Sequence, residues 1–104
     1  MGQTCEEPDP KEAFEDLFRN LPFQGERGFQ ELKELMRQWV FGSSARHIVT
    51  RIGLIRRVVL EDRWDSPPAT GHEMATFARR FLILLDVDSR ERAELHALFA
   101  RYGW

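Results

Sequence analysis

The chain has 104 residues, 42% hydrophobic and 31% charged, with seven Gly, five Pro, one Cys and a formal net charge of −2. A chain of this length buries roughly two-thirds of the surface it exposes when unfolded, so a single domain over residues 9–104 needs no metal or disulfide, and a flexible acidic segment is expected before it at 1–8. The lone Cys5 excludes an intramolecular disulfide, and no apolar run nears the ~20 residues of a membrane span or forms a leader peptide, so a cytoplasmic protein without stable membrane insertion is expected.

Helix signals then follow one another along the chain. Asp9-Pro10-Lys11-Glu12 sets an acceptor at the N-cap, Pro at the first helical position and Glu at the third. The first helix is expected from Pro10 to about Asn20, with Ala13, Phe14, Leu17, Phe18 and Leu21 on one face, and Pro22 ends it. A second reads from about Glu26 to Val40 on Phe29, Leu32, Leu35, Met36, Trp39 and Val40, which recur at three and four residues. After Gly42-Ser43-Ser44, a third helix runs from Ala45 to about Trp64. It carries Ile48, Ile52, Ile55 and Val59 in one line, with Val49, Leu54, Val58 and Leu60 beside it, so it is expected at the centre of the fold. Its β-branched content makes a strand the rival over Val58 to Leu60, but the spacing of the isoleucine line favours helix.

Asp65-Ser66-Pro67-Pro68 forbids helix and marks the longest connection. Thr70-Gly71-His72-Glu73 opens a fourth helix, about Gly71 to Leu85, and Asp88-Ser89-Arg90-Glu91 a fifth, about Ser89 to Tyr102. Without hairpin signals or repeats, five such stripes must be buried against one another. The expected fold is all-α, a compact five-helix bundle with a central apolar third helix.

Little in the sequence points to catalysis. His47, His72 and His96 fall on three different helices without the spacing that converges metal ligands, and no nucleophile elbow, phosphate loop or dinucleotide glycine pattern occurs. No enzyme activity, metal or cofactor is expected. Charge is sorted more sharply. Residues 1–16 set six carboxylates against one lysine, whereas Leu35 to Leu60 hold Arg37, Arg46, Arg51, Arg56 and Arg57 and no acid. Arginine outnumbers lysine by 13 to 2, which matches either a compositional bias or the use of planar guanidinium groups at interfaces.

Two alternatives use this basic segment. As a nucleic-acid binder using the basic 37–57 segment, the chain would form a helix-turn-helix with Phe29 to Val40 as first helix, Gly42-Ser43-Ser44 as turn and Ala45 onward as recognition helix, with Arg46, Thr50, Gly53 and Arg57 on the outer face. Against this, the helix is long and apolar, and the isoelectric point is near 5.9. As a membrane-associated protein, Met1-Gly2-Gln3-Thr4 resembles the opening of retroviral matrix proteins. That resemblance covers four residues and implies a small all-α domain, acylated at Gly2, with a basic face toward anionic lipid. Glu6 stands where the family places Ser or Thr.

The aromatic share of 12% favours a third reading, a non-enzymatic interaction module of regulator, adaptor or inhibitor type. Its partner would be another protein or a second copy of itself. Trp39, Phe41, Trp64 and Trp104 are the candidate anchors, and Arg46, Arg51, Arg56 and Arg57 the polar rim. The competing structural role for these aromatics is as lids closing the ends of the bundle.

Overall fold

The computed structural model describes residues 9–61 and 70–104. Over these the chain forms five helices: α1 Pro10–Asp16, α2 Phe29–Phe41, α3 Ala45–Glu61, α4 Thr70–Leu84 and α5 Arg90–Tyr102. No strand occurs among the described residues, and Val58 to Leu60 are helical, so the expected all-α five-helix bundle is the fold. The acidic segment 1–8 and the Asp65 to Pro68 connection lie outside the described residues.

Local chemistry moves several boundaries. α1 stops at Asp16, short of the expected Asn20, because the N–H groups of Leu17, Phe18 and Arg19 reach back only three residues, to the carbonyls of Phe14, Glu15 and Asp16. This tighter winding continues the chain in turns that still bury Phe18, Leu21 and Phe23. Asp9 makes no side-chain cap, so the expected capping box there does not form; the Asp9 carbonyl accepts from Ala13 instead. α2 begins at Phe29 rather than Glu26, since Gly28 takes φ +90°, a left-handed conformation that cannot continue a right-handed helix. α4 opens at Thr70 itself, and the residue before it lies outside the described residues. α5 is capped by Ser89, one residue later than the expected Asp88: the hydroxyl accepts from the Arg92 N–H at 3.1 Å.

α3 packs against α1, α2 and α4, so it is central in position. Its expected burial by a shell of neighbours is corrected by the structure. Only Ile55, Val58 and Val59 are buried; Ile48 and Ile52 are half-buried, and Val49 and Leu60 are each 71% exposed. The helix is amphipathic: among the described residues nothing packs on its outward side. The largest share of the core comes from α2, whose Phe29, Leu32, Leu35, Met36, Trp39 and Val40 are all buried between α3 and α5. Phe18, Phe23, Phe29 and Phe77 meet edge to face at 5.4 to 6.5 Å between centroids, joining the turn after α1, the loop before α2, α2 itself and α4.

Candidate functional site

The expected anchors separate in the structure. Trp39 is only 6% exposed and lies against Phe81, with ring centroids 5.4 Å apart, so it is a core residue and not a surface anchor. Arg51 closes over it at 4.7 Å and donates a 2.6 Å hydrogen bond to the Trp39 carbonyl, which removes Arg51 from the expected polar rim. Phe41 is half-buried with its ring edge-on to Phe14 at 5.7 Å. Trp104 is half-buried, stacked on Tyr102 at 5.2 Å and seated against the backbone of Gly28. Phe41 and Trp104 therefore act as lids. Trp64 lies outside the described residues.

Arg46, Arg56 and Arg57 remain, all exposed on α3. The inward stripe of Ile48, Ile52, Ile55 and Val59 dictates what lies opposite it: Arg46, Val49, Thr50, Gly53, Arg56, Arg57 and Leu60 share the outward face and are exposed. From Arg46 to Leu60 this strip extends roughly 21 Å at 1.5 Å per residue. Gly53 sits at its middle with no atom within 4 Å of where a Cβ would be, and its φ is not positive. A glycine inside a helix costs roughly 1 kcal/mol relative to alanine, and neither backbone geometry nor packing among the described residues requires one here. Along the α4 side, a groove of about 190 Å³ is lined by Leu54, Arg57, Val58, Glu61, Arg80, Ile83 and Leu84. Ile83 at its edge is 78% exposed.

Most other arginines among the described residues have partners, exposed Arg27 before α2 being an exception. Arg19 pairs with Asp16, Arg37 with Glu15 and Glu34, Arg80 with Glu61, Arg90 with Glu94 and Arg101 with Glu31. Arg92 donates to the carbonyls of Leu82 and Leu85, closing the end of α4, and Arg79 lies over the Phe99 ring. Arg46, Arg56 and Arg57 have no ion pair or hydrogen bond among the described residues.

Titration follows the paired sites. A hydrogen bond from Lys33, then one from Arg37, holds Glu15 below its ordinary value against the opposing effect of partial burial. The Tyr102 hydroxyl donates to Glu31, lowering the carboxyl with help from Arg101, and the same bond raises the phenol. Arg37 is raised: partial burial acts downward, but its bonds to Glu34 and Glu15 outweigh it.

Among the described residues Val87, in the turn between α4 and α5, is also 79% exposed, between exposed Asp86 and Asp88. A groove between α2 and α5, about 440 Å³, is lined by Gln30, Glu31, Glu34, Leu35, Gln38, Glu94, Ala97, Leu98 and Arg101. Its carboxylates hold the arginines named above, and no nucleophile and base converge in it. His47, His72 and His96 lie exposed on α3, α4 and α5; His47 Nδ1 is 3.1 Å from the Ser44 hydroxyl. No group of three or more metal-ligating side chains converges among the described residues.

Val49, Leu60 and Ile83 were missed as surface residues because an apolar residue in a helix reads as core. The helical wheel carried a signal for the first two, since both fall on the arginine side of α3, away from the isoleucine line. No protein-family model, curated protein or solved structure matches this chain.

Proposed function

We propose that this domain is a non-enzymatic interaction module that docks another protein on the outward face of α3 and the adjoining edge of α4. The observation that supports it is the conjunction on one helix face of three exposed arginines with no partner among the described residues and two side chains, Val49 and Leu60, each 71% exposed. Solvated charge alone explains arginines on a surface. It does not explain large apolar groups between them, a mixture characteristic of protein interfaces. A nucleic-acid backbone would use the arginines but leave Val49 and Leu60 wet, and the net charge of −2 opposes a polyanion at long range. A regulator, adaptor or inhibitor of a larger protein fits such a surface.

Photo-crosslinking tests this. A photoreactive residue replacing Val49 should capture a protein in the cells that make this chain, whereas the same residue replacing exposed Glu12 on α1 should not. Equal capture at both positions, or capture of nucleic acid at position 49, would defeat the proposal.

A further inference from the structure

Resting on that docking surface, we infer that the partner presents an acidic amphipathic helix that crosses α3 at Gly53, with its apolar stripe on Val49 and Leu60 and its carboxylates on Arg46, Arg56 and Arg57.

The charge follows from what the face lacks. Among the described residues the acid bordering it, Glu61, already accepts from Arg80 at 3.2 Å. An uncharged partner covering this surface would strip water from three guanidinium groups without replacing their hydrogen bonds, a cost that apolar contact does not recover. The partner must therefore bring acceptors, and carboxylates match the planar guanidinium fork best.

The shape follows from Gly53. Between Arg46 and Thr50 on one side and Arg56 and Arg57 on the other, the missing side chain leaves a notch open to solvent. A notch flanked by ridges at three- and four-residue spacing is where a second helix can cross with its backbone close to the first. Close approach there brings Val49 and Leu60, one on either side of the crossing, under a single apolar stripe. The α2–α5 groove of a second copy is a poor occupant, because Glu31 and Glu34 on α2 and Glu94 on α5 already hold arginines of their own subunit.

The test uses the full chain immobilised against a phage-displayed library of single-helix peptides randomised along one face. Enriched peptides should carry Asp or Glu three and four residues apart beside Leu or Ile. The best of them, synthesised, should bind about tenfold or more weakly to the R56E/R57E double variant, since charge reversal turns attraction into repulsion. Gly53→Leu should weaken binding about tenfold by filling the notch, and Gly53→Ala should weaken it less, in order of side-chain size. Circular dichroism melting of each variant reports that the fold is kept.

Enrichment of basic or uncharged peptides, no enrichment, or indifference to R56E/R57E would overturn the inference. So would tighter binding of a short DNA duplex than of the selected peptide at the same salt, or self-association in light scattering that R56E/R57E abolishes. If the library fails while crosslinking at position 49 still captures a protein, the docking surface stands and the acidic helix falls. If both fail, both are wrong.

Discussion

The guanidinium of Arg51 covers the indole of Trp39 at 4.7 Å and also donates to the carbonyl of that same residue, at 2.6 Å. One side chain from α3 thus shields the largest ring of α2 and satisfies a carbonyl in its last turn. Arg51→Ala removes both contacts and should destabilise the fold by about 1–2 kcal/mol, read from the midpoint of urea unfolding. Arg51→Lys should restore only part, because an ammonium does not stack flat on an indole. An unchanged midpoint in Arg51→Ala would show that the contact contributes nothing.

The outward arginines should behave in the opposite way. Arg46, Arg56 and Arg57, each replaced by Gln, should shift stability by less than about 0.5 kcal/mol, since they touch no partner among the described residues. A loss in any of them comparable to that of Arg51→Ala would mean that it supports the fold and is not reserved for binding.

Two glycines divide along the same line. Gly53→Ala should stabilise the domain by about 0.5–1 kcal/mol, because the helix gains propensity and the new methyl meets nothing within 4 Å. Gly28→Ala should destabilise it by about 1–2 kcal/mol: a side chain at φ +90° is strained, and its Cβ would stand 2.9 Å from Trp104. Thermal melts of the two variants should move in opposite directions.

Stability should also fall on acidification. Glu15 is held below its ordinary value by Lys33 first and then by Arg37. A carboxylate with a depressed folded value stabilises the native state above the unfolded value, near 4 to 4.5, and that contribution fades as pH drops through the folded one. Glu15→Gln should therefore lower the urea midpoint at neutral pH and flatten its decline below about pH 4.5. The side chain is 44% exposed, so added salt should shrink the difference. A variant with the wild-type pH slope would remove Glu15 from the account.

At the start of α5, Ser89→Ala should cost about 1 kcal/mol by leaving the Arg92 N–H without its acceptor, while Ser89→Asp should not. Substituting Asp88 should have little effect, and a larger loss there than at Ser89 would return the cap to Asp88.

The helices were legible because each buries a stripe, and stripes at three- and four-residue spacing survive any arrangement of neighbours. What failed depended on neighbours. Val49 and Leu60 are as apolar as Ile55 and differ from it only in their place on the helical wheel, on the arginine side, where no helix among the described residues covers them. Trp39 reads as an anchor until Arg51, twelve residues later, is seen to close over it. The C-terminal end of α1 and the start of α2 differ from expectation for another reason: three-residue hydrogen bonding after Asp16 and the left-handed Gly28 are backbone choices with weak sequence signatures. Arg46, Arg56 and Arg57 were legible as a basic segment. Their lack of partners among the described residues was not, because pairing depends on which acids the fold brings near.

The edge-to-face group of Phe18, Phe23, Phe29 and Phe77 ties the order of synthesis to the order of folding. Three of its rings emerge early, but Phe77 arrives on α4, from the far half of the chain. Until then a nascent polypeptide ending near Glu61 carries unsatisfied phenyl surface, and α1, at seven residues, is too short to hold its shape alone. Closure of this aromatic group therefore waits for α4 to clear the ribosome.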